Sequence, residues 1–238
     1  MSVNADVNVA SEPSTKRQKL APPKKRVMMV NDLHICDTNM MPLVKSSKCN
    51  LVPIVCKFDN KSPVLVQLSG DGKIPLSFGI EDTDTDGRRK VQVAFQIDNQ
   101  SDHDQLVRLR TELSEAVVDQ WAKWFPDIDP QPSKEVLQTM CNTFVSGRKK
   151  KTNSEDRWSG VSKAKIEPEE CLNGRCKIVD RDTGDIVPFS MLPGRLWHKI
   201  ILEFRYIYIQ STKSYGITRK VRYISSSQED EDGDVSPL

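Results

Sequence analysis

The chain has 238 residues, 37% of them hydrophobic, and its 35 Lys and Arg against 33 Asp and Glu give a formal net charge of +2. A chain of this length can bury a core without disulfides, and it contains no apolar run of the roughly 18 residues that a membrane span needs. The charges are segregated along the chain. KRQKLAPPKKR near the N-terminus contains basic residues and no acidic one, and EDEDGD near the C-terminus contains acidic residues and no basic one. The near-neutral total therefore does not exclude a nucleic-acid-binding protein.

Residues 1–27 are predicted to be a disordered arm, because they are rich in Ser, Pro, Asn and Lys and offer almost no large apolar side chains. Two basic clusters separated by Leu-Ala-Pro-Pro are typical of a nuclear-localisation signal. The basic residues are Lys16, Arg17, Lys19, Lys24, Lys25 and Arg26. We expect a soluble, intracellular protein of the nucleus, the host nucleus if the protein is viral. A solvated basic arm, or one that contacts phosphates, is the alternative.

Four short segments rich in β-branched residues predict strands between residues 49 and 98. The segments are Leu51–Phe58, Pro63–Ser69, Lys73–Ile80 and Lys90–Ile97, separated by DNKS, GDG and EDTDTDGRR. Their spacing of about ten residues favours an antiparallel meander or small barrel over βαβ units, which need a helical crossover. DTDTDG matches the start of an EF-hand calcium loop, but Val93 stands where the bidentate Glu is expected. An acidic turn is the favoured interpretation.

A helical insertion is predicted over about residues 101–145. The first helix begins at a cap, Ser101 or Asp102, and ends before Pro126. Its apolar residues at helical spacing are Leu106, Leu109, Leu113, Val117 and Trp121 or Trp124. A second helix runs from Ser133 to about Phe144, and we assign Trp121, Trp124 and Met140 to the core rather than to a ligand cage.

The rest of the chain is predicted to be a basic mobile loop, further strands and an acidic tail. The loop spans residues 147–160, and strands follow at Cys176–Val179, Asp185–Phe189, Leu196–Gln210 and Ser214–Ile224, the last two forming a hairpin. Residues 28–226 thus form a single mainly β domain with inserted helices, an α+β fold, and residues 227–238 form a disordered tail. The acidic residues of the tail are Glu229, Asp230, Glu231, Asp232 and Asp234.

No motif for catalysis or for a cofactor is found. The sequence lacks a P-loop, a Rossmann glycine pattern, a zinc-protease helix and a nucleophile elbow, and its three histidines have no obvious partner. The six cysteines are expected to be reduced. Cys171 and Cys176 flank LNGR, but a zinc site needs a second ligand pair. We therefore predict no enzyme, no cofactor and no metal, and leave open whether these two cysteines bind one.

The final hairpin combines cations with aromatic rings, as proteins that hold single-stranded nucleic acid do. Strict alternation places Tyr206 and Tyr208 on the core side of the first strand and Arg205 on the opposite side. On the second strand it places Lys220 and Arg222 on a polar face and Tyr215 on the apolar one. The basic residues are thus better binding candidates than the tyrosines, and an ordinary half-exposed hairpin is the alternative.

The segments VPIVCKF and KVQVAFQI, the helical insertion, the hairpin LEFRYIYIQSTKSYGITRKVRYI and the acidic C-terminus resemble the OB-fold single-stranded DNA-binding proteins of large eukaryotic DNA viruses. That family is similar to the single-stranded DNA-binding proteins of certain tailed phages. The resemblance covers about residues 49–234. It implies an OB-like five-stranded antiparallel barrel that coats single-stranded DNA without sequence preference in replication, recombination or repair.

In an OB barrel the binding face lies across the second and third strands and the loops that rim them. The candidate phosphate contacts are Lys57, Lys73, Arg148, Lys149, Lys150, Lys151, Arg205, Lys213, Lys220 and Arg222. The candidate stacking residues are Trp158, Tyr208 and Tyr215. The basic loop would close over a bound strand, and a solvated linker is its alternative interpretation.

The acidic tail is tethered close to this basic groove, so it can occupy the groove until nucleic acid displaces it and can then recruit replication proteins. Homodimerisation, the preference for DNA or RNA and phosphorylation of Ser236 stay open. No membrane partner is expected. The alternative function is a nuclear protein-interaction or structural module without nucleic-acid binding, and a metal-dependent nuclease built on scattered carboxylates is a third hypothesis.

Overall fold

The computed structural model describes residues 27–45, 49–70, 72–74, 80–85, 88–147, 160–210 and 214–228. The predicted nuclear-localisation residues 16–26, the basic residues 148–151, Trp158, Lys213 and the acidic residues 229–234 lie outside the described residues.

The described part of the chain contains twelve strands and three α-helices, with two 3-10 helices at Ile35–Asp37 and Phe189–Met191. The strands are β1 (Val27–Met29), β2 (Thr38–Met40), β3 (Asn50–Cys56), β4 (Val64–Leu68), β5 (Gly72–Lys73), β6 (Ile80–Thr85), β7 (Arg88–Ile97), β8 (Ser146–Gly147), β9 (Gly160–Ile166), β10 (Lys177–Asp180), β11 (Leu196–Gln210) and β12 (Ser214–Ser227). The α-helices are α1 (Gln100–Trp124), α2 (Lys134–Met140) and α3 (Pro168–Leu172). The mainly β composition with inserted helices is as predicted.

The strands form an open, mixed sheet in the order β1-β4-β11-β12-β9-β7-β6. The antiparallel β11–β12 hairpin is at its centre, while β1 runs parallel to β4, and β9 and β10 run parallel to β12. Along its other edge β11 pairs in turn with β5, β4 and β3. No pairing between described strands joins the two ends of this path. The expected five-stranded antiparallel barrel is therefore not found, because one 15-residue strand provides an edge for three partners.

Three bulges bend the central hairpin. Two lie in β11, between Trp197 and Lys199 and between Phe204 and Ile207, and the third places Arg222 as an extra residue in β12. A bulge bends its strand and increases the local twist. It also changes which side of the sheet the following side chains occupy. The hairpin therefore curves around the core instead of lying flat.

The curvature brings the beginning of β11 against β7. Trp197 is fully buried, and its Nε1 donates a hydrogen bond of 2.8 Å to the carbonyl oxygen of Gln96. Gly72 of β5 lies between them, and a Cβ atom there would come within 2.3 Å of the same carbonyl oxygen. A glycine is therefore required at this close approach.

The helix α1 covers the core as its spacing predicts. It begins after Asn99, whose side chain accepts a hydrogen bond from the backbone N–H of Ser101, so neither of the predicted caps is the one used. Its buried apolar stripe consists of Leu106, Leu109, Leu113, Val117 and Trp121. Trp124 and Met140 pack partly buried against the core, which agrees with their structural assignment. No helix in the described part of the chain has the length and apolar composition to cross a membrane.

The helix α2 ends earlier than predicted because Cys141 leaves it to form a bridge with Tyr215 of β12. Arg110 of α1 fixes this end, since its Nη2 atom donates to the carbonyl oxygens of Gln138 and Cys141 at 3.3 and 2.9 Å. These bonds satisfy helix-terminal carbonyls that have no partner within the helix. The position of residue 142, which follows, is thereby tied to the central hairpin.

Two predicted segments differ from the structure. The run EDTDT, expected as an acidic turn, forms most of β6 and pairs with β7 from Arg88 to Gln92. The expected strand at residues 185–189 is instead an isolated bridge at Ile186 followed by a 3-10 helix. Pairing with an adjacent strand overrides the low strand propensity of Asp in the first case. The strand β9 and the helix α3 were not predicted.

Asp102 is a buried carboxylate in the first turn of α1. It is 3% exposed, and burial raises its pKa to about 6 against the opposing effect of a hydrogen bond from the backbone of Ser69. Between about pH 4 and 6 the folded protein therefore holds a proton that the unfolded chain releases. The free energy of unfolding falls as the pH rises through this interval.

We expect the substitution Asp102→Asn to stabilise the protein at pH 7.5 by about 1–2 kcal/mol and to have little benefit near pH 4, because the amide has no ionisation cost. Urea unfolding at several pH values measures the difference. Asp119→Asn, on the exposed side of the same helix, is the control and should show no such pH dependence. An equal effect of Asp102→Asn at both pH values would contradict the explanation.

Candidate nucleic-acid interface

The bulge between Phe204 and Ile207 turns two tyrosines to the outside of the sheet. Phe204 and Ile207 are buried on the core side, and the extra residue lets Arg205 and Tyr206 both leave that side. Tyr208 then alternates outward from Ile207 and is half-buried. The prediction that both tyrosines face the core is therefore wrong, because it assumed unbroken alternation.

Arg205 and Tyr206 form a cation–π pair at the surface. The guanidinium carbon lies 5.1 Å from the centroid of the Tyr206 ring, and 45% of the Arg205 side chain is exposed. Arg205 also approaches Glu203, but only to 4.0 Å. At the surface such a weak ion pair leaves the guanidinium available to another anion.

The ring of Tyr208 lies across the backbone of β12 at Gly216. A Cβ atom on Gly216 would come within 2.8 Å of the hydroxyl oxygen and 3.1 Å of the Cζ atom of Tyr208. The hydroxyl accepts a hydrogen bond of 2.8 Å from the side-chain amide of Asn142. The ring is therefore held in one orientation while part of it stays accessible.

Two lysines extend this surface across the sheet. Lys163 and Lys165 of β9 are exposed, whereas the alternate residues Ser162, Ala164 and Ile166 are buried against β7. β9 runs parallel to β12 with Lys165 opposite residue 220, so by the same register Lys163 is level with residue 218, which adjoins Arg205. The exposed cations of β9 and β11 thus lie on one face, with Thr218 of β12 between them.

We call this surface the aromatic–basic strip. It consists of Lys163 and Lys165 on β9, Thr218 on β12, Arg205, Tyr206 and Tyr208 on β11, and Leu51 and Pro53 on β3, which pair with Tyr208 and Tyr206. Strands in a sheet are about 4.8 Å apart, so the strip crosses about 14 Å from β9 to β3. Its polar and aromatic side chains stand on backbone fixed by ladder hydrogen bonds.

The predicted basic loop is attached at one end of the strip. The chain leaves the described part at Gly147 and returns at Gly160, and these two residues pair with each other. Residue 161, next in β9, pairs with Ser146. The basic residues 148–151 and Trp158 lie outside the described residues, so only their points of attachment are defined.

Arg219 supports the strip from the core side. Its guanidinium donates to the carbonyl oxygen of Phe144 and, at 2.7 Å, to the hydroxyl of Ser162, which links β12 to the start of β9. The cation also lies 5.4 Å from the Phe144 ring centroid. Burial lowers the pKa of Arg219 to about 10, so it remains charged at neutral pH.

Lys220 and Arg222 are not open to solvent, because carboxylates beside and within α3 cover them. The Nζ atom of Lys220 lies 2.6 Å from Glu167 and 2.7 Å from Glu170, and its side chain is 3% exposed. Arg222 forms ion pairs with Glu170 and Glu203. The prediction that these two cations contact phosphates from an open surface is not met, because both are already neutralised.

The other predicted contacts lie apart from the strip. Tyr215 is fully buried beside Cys141, so its ring cannot stack on a base in this conformation. The same burial raises the pKa of its hydroxyl. Lys57 follows the far end of β3, and Lys73 pairs opposite Leu196 at the other end of β11. Of the predicted site residues in the described part, the structure therefore brings together Arg205 and Tyr208.

Sequence reasoning missed Lys163, Lys165 and Tyr206. In VSKAKI, Lys163 and Lys165 alternate with Ser162, Ala164 and Ile166, and this period of two is a usable signal for β9. The signal is short and follows a long polar run. No signal in the sequence located the bulge that turns Tyr206 outward.

No group of three His, Cys, Asp or Glu side chains in the described part of the chain is arranged to hold a metal ion. Burial raises the pKa of the Cys171 and Cys176 thiols, which disfavours the thiolate that a metal requires. The cysteines in the described residues are free thiols.

No protein-family model matches the chain. A search of the curated proteins likewise gives no match. Among solved structures, the chain is similar to the gp2.5 single-stranded DNA-binding protein of bacteriophage T7, with 13% identity and a TM-score of 0.45 over 73% of this chain and 97% of that one. It is also similar to the single-stranded DNA-binding protein of bacteriophage Enc34 in complex with single-stranded DNA, with 10% identity and a TM-score of 0.39 over 81% of this chain and 97% of that one. Both are phage proteins, and neither comes from a eukaryotic virus. We therefore assign the candidate interface from the side chains and contacts of this chain alone.

We expect Gly216→Ala to lower the free energy of unfolding by about 1–3 kcal/mol, because the new methyl group displaces the Tyr208 ring. The cost should shrink when Tyr208→Ala is introduced together with it, since the clash is then removed. Chemical denaturation of the four proteins of this double-mutant cycle gives the coupling free energy. Equal costs of Gly216→Ala in both backgrounds would show that the Tyr208 contact is not the cause.

Proposed function

We propose that this protein binds single-stranded DNA without sequence preference through the aromatic–basic strip. The observation that carries the proposal is the bulge in β11, which places Arg205, Tyr206 and Tyr208 on one accessible face in line with the exposed lysines of β9. Cations that follow phosphates, together with rings that stack on unpaired bases, are the combination that binds single strands.

The arrangement suits an unpaired strand better than a duplex. Base faces are accessible for stacking only when the bases are not stacked within a helix, and every base has such a face, so the contact tolerates any sequence. A duplex reader would present a basic helix to the major groove. Arg108 and Arg110 of α1 instead donate to carbonyl oxygens of this protein.

The proposal extends to segments outside the described residues. The acidic tail, residues 229–234, competes with DNA for basic surface and recruits replication proteins when it is displaced. The basic residues 16–26 direct the protein to the nucleus, or to the host nucleus if it is viral. Its role is in replication, recombination or repair. It acts by binding and not as an enzyme, because no catalytic motif was found in the sequence.

A second candidate function is a protein-interaction module, and one surface favours it. At the end of α1, Leu43, Trp124, Phe125 and Ile128 line an apolar groove that Lys123 and other polar residues border. An apolar groove with a cationic rim suits a peptide with apolar and acidic residues. Such a function does not require the aromatic–basic strip, so substitutions in the strip separate the two candidates.

We expect the triple substitution of Lys163, Lys165 and Arg205 by Ala to weaken binding of a fluorescent oligo(dT) at least tenfold and to flatten its salt dependence, by about 0.7 in log–log slope per lost phosphate contact. Substituting Tyr206 and Tyr208 by Ala should weaken binding by about 1–3 kcal/mol per base no longer stacked, with the slope unchanged. Fluorescence anisotropy across a salt series measures both effects.

The matched control removes three exposed lysines outside the strip, namely Lys45, Lys61 and Lys134. It changes the net charge equally and should reduce affinity by much less than the strip variant. Equal losses would mean that only overall charge matters. Absence of binding by the wild-type protein at low salt would overturn the proposed function, and removal of residues 229–238 tests tail competition separately by its expected gain in affinity.

A further inference from the structure

We propose that α3 and the residue before it form a displaceable carboxylate lid over a latent phosphate-binding site made by Lys220 and Arg222. The inference rests on the proposed function and deepens it, because the latent site continues the aromatic–basic strip. With the lid in place the strip ends at Lys165 and Thr218. With the lid displaced, two further cations join the surface available to the nucleic-acid backbone.

The covered cations belong to the same face of the sheet as the strip. Lys220 lies two residues after Thr218 on β12, opposite Glu203 of β11 on one side and Lys165 of β9 on the other. Glu203 lies between core residues of β11 and therefore points outward, as does Lys220 opposite it. The bulge at Arg222 keeps that residue on this side as well. Within the described part of the chain, α3 and Glu167 cover these charges.

The lid carboxylates stand where phosphate oxygens would bind. One oxygen of Glu170 contacts the ammonium group of Lys220 and its other oxygen contacts the guanidinium of Arg222, at 2.7 and 2.5 Å. Glu167 supplies a second carboxylate to Lys220. Burial opposes the ionisation of Glu170, but the two cations outweigh it and hold its pKa below the usual range. A phosphodiester offers the same pair of anionic oxygens to the same cations.

Few apolar contacts hold the lid in place. α3 has five residues, its Leu172 is 89% exposed and Glu169 points to solvent. Among the side chains of α3, Cys171 is the one hydrophobic residue that packs against the core in the described structure. The helix is therefore held chiefly by ion pairs, which another anion can replace. Arg222 keeps its ion pair with Glu203 when the lid leaves, which limits the cost of opening.

The test compares two double variants with equal net charge. Glu167→Gln with Glu170→Gln removes the lid carboxylates, whereas Glu115→Gln with Glu169→Gln removes two exposed carboxylates, one of them on α3 itself. We expect the first variant to bind oligo(dT) about tenfold more tightly than the wild type, in the range of an ordinary coupling between two sites. The second should match the wild type to within about twofold, because exposed charges are screened.

A second measurement uses the wild-type protein and does not depend on the folding of a variant. Hydrogen exchange at the amides of Arg175 and Cys176 should become faster when oligo(dT) is bound, because both donate to the carbonyl oxygen of Glu170 and lose that partner when the lid moves away from the buried Cys176. Slower or unchanged exchange at these amides would overturn the lid. Faster exchange there, with protection in β9 and β11, would support it.

The outcomes distinguish this inference from the proposed function. If the wild type binds and the lid variant binds no better than its control, the lid is wrong and the strip stands. If neither the wild type nor the lid variant binds, both proposals are wrong. If only the lid variant binds, the latent site is supported, but the proposed function of the wild-type protein is overturned.

Discussion

The insertion of one residue into β11 between Phe204 and Ile207 is the constraint on which the candidate interface depends. Without it, Tyr206 and Tyr208 would continue the core side of the strand, which is instead occupied by the fully buried Ile207 and Ile209. The inserted residue reverses the alternation and keeps Ile207 and Ile209 buried. The same bulge therefore keeps the isoleucines in the core and places the tyrosines on the surface. Bulges are common next to functional sites.

The cations of the outer face fall into two groups with different energetics. Arg205 is 45% exposed and approaches Glu203 only to 4.0 Å, so this ion pair adds little stability to the folded protein. Lys220 is enclosed, so its charge must be compensated, and removing one carboxylate partner would leave a buried cation under-compensated. The first kind of cation contacts an incoming anion at once. The second is available only after an exchange of partners.

Sequence periodicity was sufficient to locate α1 and β11, although not the shorter strand β9. The apolar stripe of α1 and the ends of β11 were predicted because burial imposes a fixed repeat on such elements. The sheet topology was not, since which strands neighbour β11 depends on long-range packing that no local pattern reports. The predicted side of the sheet for Tyr206 was wrong for a related reason. A bulge depends on how two strands pair, and the sequence of one strand does not indicate it.

The sequence predicted the types of residue that form the site better than it predicted which positions are accessible. A hairpin rich in Arg, Lys and Tyr correctly drew attention to β11 and β12. Two of its cations, Lys220 and Arg222, are however neutralised by a helix that the sequence pattern does not predict. α3 has only five residues, and its Glu residues are equally typical of a solvated turn. Its role became visible only when the ion pairs across the sheet were known.

The two proposed internal anions would act over different ranges. α3 begins two residues after β9 ends at Ile166, so it can swing away from Lys220 but cannot leave the sheet, and its effective concentration at the latent site stays high. The acidic tail follows β12, which ends at Ser227, and its anionic residues begin two positions later. Asp234 is the seventh residue after Ser227, which allows a reach of about 23 Å when extended. A short tether suits rapid re-covering of one site, whereas a longer one lets the same charges leave the protein's surface and contact a basic partner. The near-neutral net charge of +2 is then the sum of opposing charges that compete within one molecule.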